Sequence, residues 1–189
     1  HHYHRYDSTG RRVETGSAAK DRPALPERKV DRNDTLSVGF QAGSYISGFE
    51  NGYSFGDAGF GIDGSYRPVE SVGLELAYTY YDQTFEDDSA RQTATLQPSV
   101  NLYAVPWKRA SPYLNVGAPM SRRSSDASGG GPDVASTAYG PHAGLGVEFA
   151  LGEHAAIDLR GQYVHYLNVT EDPNVPSALQ GTAGLNFYF

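Results

Sequence analysis

From Thr35 onward, apolar residues recur at every second position in eight separate stretches. This spacing puts successive side chains on opposite faces of a strand. Strand one, about 35–46, sets Leu36, Val38, Phe40 and Ala42 against Ser37, Gly39, Gln41 and Gly43. Strand two, about 56–66, sets Ala58, Phe60, Ile62 and Tyr66 against Gly59, Gly61, Asp63 and Ser65. Strand three, about 72–84, has Leu74, Leu76, Tyr78 and Tyr80 opposite Glu75, Ala77, Thr79 and Tyr81. Strand four, about 93–105, has Leu96, Val100, Leu102 and Ala104 opposite Gln97, Ser99, Asn101 and Tyr103. Strand five, about 112–121, has Leu114, Val116, Ala118 and Met120 opposite Tyr113, Asn115 and Gly117. Strand six, about 137–150, has Ala143, Leu145, Val147 and Phe149 opposite His142, Gly144, Gly146 and Glu148. Strand seven, about 155–167, has Ile157, Leu159 and Tyr163 opposite Asp158, Arg160 and Gln162. Strand eight, about 177–189, closes the chain. Pro98, Pro119 and Pro141 interrupt strands, and each lacks a ladder donor, so bulges or frayed ends are expected there.

The connections alternate in length. Those at 67–71, 106–111 and 151–154 are short; those at 49–55, 85–92, 122–136 and 168–176 are longer and more polar. Eight strands of at least roughly 9–11 residues, with short turns on one rim and long loops on the other, predict an all-β, eight-stranded antiparallel up-and-down transmembrane barrel. A lipocalin-like barrel or a β-sandwich would reverse the faces and bury the apolar one. The polar face here holds Gly, Ser, Asn, Gln and opposite charges, which makes a poor hydrophobic core. Aromatics crowd the strand ends, among them Tyr45, Phe55, Tyr66, Tyr80, Phe85, Tyr139, Phe149 and Tyr163. Trp107, the only tryptophan, lies in a short turn beside Lys108 and Arg109, where an interfacial anchor is expected. The apolar stripe should therefore face lipid, with Leu74, Val147, Ile157 and Leu185 on the outside.

Composition changes this picture only at the N-terminus. No run approaches the roughly 20 apolar residues of a membrane helix, a test blind to membrane barrels. Of 189 residues, 22 are Gly and 14 are Tyr, as bending strands and interfacial belts use them. Cys is absent, which removes disulfides and thiol chemistry. The chain starts at His1 without an apolar leader and is read as processed or trimmed. Residues 1–34 carry eight Lys/Arg and six Asp/Glu, with Pro23 and Pro26 and no period; residues 35–189 carry seven and sixteen. The division is thus an extended polar segment, 1–34, and a barrel, 35–189. The segment is expected on a partner subunit or the barrel base, because a small barrel fills its own lumen. An acidic barrel lacks the basic footprint that nucleic-acid binding needs.

The last strand reads Thr182-Ala183-Gly184-Leu185-Asn186-Phe187-Tyr188-Phe189, apolar at every second position and aromatic at its end. It resembles the closing strand of bacterial outer-membrane barrels. In that family the polar residue, the glycine and the two aromatics, matched by Thr182, Gly184, Phe187 and Phe189, are read by the assembly machinery. Together with strand count and loop alternation, residues 35–189 resemble the small OmpA-transmembrane/OmpX-like barrels of the porin superfamily. The resemblance implies a bacterial outer-membrane location, periplasmic termini, and contact with outer-membrane lipid and lipopolysaccharide.

Charges on the enclosed face must pair or be neutralised. Asp63, Glu75, Glu148, Asp158 and Arg160 are the candidate lumen ion-pair network. Arg160 is expected to bridge lumen carboxylates, with Glu148 on the neighbouring strand its nearest partner. Such a network either holds the barrel rigid or gates a narrow path.

No catalytic set emerges. A lipid A deacylase of this shape pairs a His with a Ser two positions on, but His165 is followed at that position by Leu167. His142 has no Ser at a fixed neighbouring position. His1, His2 and His4 suit a transition metal or an arbitrary chain start, and no metal or cofactor is assigned. Glu86-Asp87-Asp88 and Glu171-Asp172 lack calcium-loop spacing. Gly129-Gly130-Gly131-Pro132 lacks the Lys and helix of a phosphate loop. The leading expectation is a non-enzymatic outer-membrane anchor or scaffold subunit, contacting other proteins through residues 1–34 and the extracellular loops. A narrow ion or small-solute pore is the alternative, and a lipid A-modifying acyl hydrolase the second.

Overall fold

The structure, a computed structural model, describes residues 31–47, 54–84, 90–106, 108–126, 134–167 and 177–189. Within them the chain forms ten strand segments: β1 (Thr35–Ser47), β2 (Ser54–Val69), β3 (Val72–Thr84), β4 (Ala90–Tyr103), β5 (Ala110–Gly117), β6 (Met120–Asp126), β7 (Val134–Tyr139), β8 (His142–Ala150), β9 (Ala155–His165) and β10 (Ser177–Tyr188). All pairings are antiparallel, and every neighbour is the next strand round. The circle closes where β1 pairs with β10, from Ser37 opposite Tyr188 to Ser47 opposite Ala178.

Ten segments make eight barrel strands, because two strands are broken by proline. β4 pairs first with β6 and then with β5, so β5 and β6 are one strand interrupted at Ala118-Pro119. β7 and β8 are likewise one strand interrupted at Gly140-Pro141. Backbone bonds bridge both breaks, Gly140 N–H donating to the Pro119 carbonyl (3.3 Å) and His165 N–H to that of Pro141 (3.0 Å). Two of the three expected interruptions therefore occur. Pro98 instead stays in register within β4, opposite Leu76.

The faces sort as a membrane barrel requires. Leu36, Phe40, Phe60, Ile62, Leu74, Leu76, Leu145, Ile157 and Leu185 all point outward, Phe60 and Leu145 by as much as 71% and 70%. The buried set is polar: Gln41, Asp63, Glu75, Thr95, Gln97, Asn101, Asn115, Glu148, Asp158, Arg160 and Gln162. An exposed apolar belt of this extent is stable only in lipid. Hydrogen-bonded polar groups then fill the inside, where there is no oily core to form.

The short turns run longer into strand than the sequence suggests. β2 continues through Arg67 to Val69, leaving only Glu70-Ser71 between it and β3. At the same rim the chain enters β1 through Asn33 and Asp34. Asp34 adopts a left-handed φ of 54°, a conformation Asp tolerates better than most, and accepts a hydrogen bond from Tyr66 Oη at 2.7 Å. Trp107, residues 1–30 and the acidic and Gly-rich loop stretches fall outside the described residues.

Candidate functional site: the polar lumen

Lumen-facing positions alternate with lipid-facing ones, so each strand contributes every second residue to the interior. Three layers result. In the middle layer, β9 supplies Asp158 and Arg160, β3 supplies Glu75, β4 supplies Asn101, and β5 supplies Tyr113 and Asn115. Arg160 grips Glu75 with two N–H groups, at 2.5 and 2.9 Å, and reaches Asp158 at 3.5 Å. Its Nε donates to Tyr113 Oη at 3.0 Å. Tyr113 Oη in turn donates to the Asp158 carboxylate, 2.7 and 2.9 Å from its two oxygens. Asn101 Nδ2 donates to Glu75 at 2.8 Å, and Asn115 Nδ2 to Asn101 Oδ1 at 2.6 Å. Two-point guanidinium–carboxylate pairing fixes geometry as well as charge.

Toward the opposite rim lies a layer of amides. Gln97 and Gln162 exchange hydrogen bonds at 3.1 and 2.9 Å, and Gln162 also donates to Gln180 Oε1. The space left among Arg160, Gln97, Gln162 and Tyr81 is a cavity of about 10 Å³. That is at most one water molecule.

The third layer closes the mouth at the short-turn rim, and Glu148 is its hub. Glu148 accepts hydrogen bonds from Arg67 Nη2 at 2.6 Å, Tyr188 Oη at 2.6 Å and Tyr103 Oη at 3.4 Å, and forms an ion pair, without a hydrogen bond, with Arg32 Nε at 3.2 Å. Arg32 stacks on the Tyr188 ring at 3.4 Å, and Arg67 on the Tyr103 ring at 3.8 Å. Arg32 also donates to the carbonyls of Gly152 and Glu153 in the turn between β8 and β9, and to that of Ala155 at the start of β9. Burial pushes the Arg32 guanidinium below its ordinary pKa, while the facing Tyr188 and Glu148 pull it back up.

All five residues of the expected network face the lumen, but the pairing differs. Arg160 meets Glu75 and Asp158. Glu148 is not its partner and is taken by Arg67 and Arg32. Asp63 lies within electrostatic reach of Glu75, Arg160 and Asp158 but receives no hydrogen bond among the described residues. Arg67 and Arg32 escape the sequence reading because one falls in a presumed turn and the other in the presumed tail. Alternation alone could have found Arg67: Asp63, Ser65 and Arg67 share a face. Nothing in the sequence signals Arg32.

Ser99, His142 and Asn115 are the residue types of a nucleophile, a base and its orienting group. His142 Nε2 meets Asn115 Oδ1 at 2.6 Å, and since that oxygen only accepts, Nε2 must donate. Yet Ser99 Oγ and His142 Nδ1 form no hydrogen bond with each other or with any described residue. Both are buried in the lumen. The described residues also hold no group of three or more His, Asp or Glu side chains arranged as metal ligands.

A closed antiparallel wall, apolar outside and hydrogen-bonded inside, defines a β-barrel membrane protein. The chain belongs to the outer membrane protein beta-barrel domain family, which it matches over residues 24–187. No curated protein sequence matches it. Among solved structures, the fold is similar to Neisserial surface protein A, with 20% identity, 82% of this chain and 96% of that one covered, and a TM-score of 0.65. The N-terminal β-barrel domain of Pseudomonas aeruginosa OprF is similar at 12% identity, over 83% of this chain and 98% of that one, with a TM-score of 0.64. Ail, the attachment invasion locus protein of Yersinia pestis, is similar at 14% identity, over 84% and 99%, with a TM-score of 0.59.

Proposed function

We propose that this outer-membrane barrel is a non-enzymatic, non-conducting anchor or scaffold subunit of an envelope or surface assembly. The observation that carries the reading is the packed lumen: among the described residues, interlocked side chains cross it in three layers, and the space among Arg160, Gln97, Gln162 and Tyr81 is about 10 Å³. Ser99 Oγ and His142 Nδ1, which share no hydrogen bond, argue against hydrolysis. In this reading the short-turn rim and both ends of the chain face the periplasm. Residues 1–34 and the loops of the opposite rim are the contact surfaces, and the outward face meets lipid and lipopolysaccharide. One barrel of similar fold is named for attachment and invasion and has been solved with the heparin analogue sucrose octasulfate. It offers an analogy of shape for loop-borne contacts.

The test has two arms. Purified barrel in a planar bilayer should be electrically silent; regular conductance steps would replace this reading with the pore. Affinity capture from cross-linked cells should lose envelope proteins when residues 1–30 are removed. Unchanged captured partners would remove the segment from the function.

A further inference from the structure

We propose that the turn between β4 and β5 binds the phosphate of an anionic glycerophospholipid through Lys108 and Arg109. The inference rests on the orientation read above, which puts the short turns in the leaflet facing the periplasm. Charge at this rim is divided. Asp31, Asp34, Glu70 and Glu153 belong to the segment before β1 and to the other two turns. Arg32 and Arg67 are buried and committed to Glu148. Every exposed Lys or Arg described at this rim lies in the β4–β5 turn: Lys108 and Arg109, side by side. Neither is ion-paired with a described residue.

The backbone fixes this turn against the lipid-facing wall. Ala150 N–H donates to the Arg109 carbonyl at 2.7 Å, and Lys108 N–H to that of Val105 at 3.1 Å. The next pair along, Ala110 opposite Phe149, already belongs to the wall. Phe149 is exposed on the outer face, and Leu151, just past Ala150, is 62% exposed. Leu114 and its partner Leu102, further up the same wall, are exposed as well. A phosphate held at the turn therefore has an apolar track for its acyl chains directly beside it.

Ligand chemistry narrows the headgroup. Long basic side chains at a membrane boundary keep their charged ends at headgroup level while their aliphatic stems cover apolar surface. An ammonium offers a point charge and a guanidinium a two-pronged set of N–H groups, and both match phosphate oxygens. A zwitterionic lipid brings its own cation to the phosphate and gains less from two more. A net negative headgroup is the better fit.

The full chain in an uncharged detergent is titrated with phosphatidylglycerol or phosphatidylcholine, and bound lipid is counted by native mass spectrometry. The expected result is a phosphatidylglycerol adduct at concentrations where phosphatidylcholine leaves none. Two interfacial cations together raise affinity about tenfold or more. Lys108→Gln combined with Arg109→Gln should weaken the adduct by that factor, while Arg122→Gln, exposed toward the opposite rim, should keep it. Leu151→Asn should weaken it with both charges in place. Inorganic phosphate should displace it no better than chloride at equal ionic strength. Equal binding of the two lipids, an adduct unchanged in the double variant or in Leu151→Asn, or specific displacement by inorganic phosphate overturns the proposal. Orientation is tested apart from binding. The chain has no cysteine, so Lys108→Cys introduces a single thiol, which a bulky polyethylene-glycol maleimide should not reach in intact cells. Labelling there overturns the periplasmic placement, and the glycerophospholipid with it, whatever the adducts show.

Discussion

Glu148 shows how a single side chain organises this interior. It lies on β8, yet its four partners come from β2, β4, β10 and the segment before β1. Replacing Glu148 with Ala would strand two buried guanidiniums. Breaking a buried pair in this way costs on the order of 3–5 kcal/mol. Arg32→Ala should cost less, about 1–2 kcal/mol, because Glu148 keeps Arg67 and the Tyr188 hydroxyl. Thermal unfolding followed by loss of the compact form on unboiled gels measures both. Equal losses would mean that Arg32, rather than Glu148, is the hub. A second check is proteolytic: in the folded barrel trypsin should spare the bond after Arg32.

Strands were legible in the sequence, and their partners were not. Alternation in Leu74-Glu75-Leu76-Ala77-Tyr78 settles which face each residue takes, because the pleat has a period of two. The same alternation says nothing of the neighbour across the lumen. Arg160 therefore looked closest to Glu148, next door on β8, whereas its long side chain spans the interior to Glu75 on β3. Gly146 shows what sets such a reach. The Tyr113 ring lies directly over it, where a Cβ would collide with the ring. Gly146→Val should lift Tyr113 off Asp158 and Arg160 and destabilise the barrel by roughly 1–3 kcal/mol. A stability unchanged from the parent would show that Tyr113 has room to move.

The closing strand makes a separate prediction. Phe189 is 76% exposed, and its backbone already pairs with Leu36 in both directions. Phe189→Ala keeps that pairing and removes only a lipid-facing ring, a loss of roughly 1–2 kcal/mol. We expect the refolded variant to reach the compact form in detergent while unassembled chain accumulates in cells. Normal assembly in cells would show that the terminal aromatics are not an assembly signal.

At the scale of the whole barrel, side chains of the described residues interlock across the lumen at more than one level. Arg160 and its partners cross the middle, the amides of Gln97, Gln162 and Gln180 lie on one side of them, and the Glu148 hub fills the short-turn mouth. Closures in series have a simple electrical consequence: the narrowest remaining one governs the current. Arg160→Ala clears the middle but leaves Arg67, Tyr103 and Tyr188 packed around Glu148. That variant should therefore be as silent as the parent in a planar bilayer. Adding Arg67→Ala and Tyr188→Ala removes side chains from the mouth as well, and only this combination should pass ions, provided it still folds. Its compact migration in detergent gels must be shown alongside. Conductance from Arg160→Ala alone would mean that the Glu148 hub does not seal, and the lumen would then be a pore held shut by a single guanidinium.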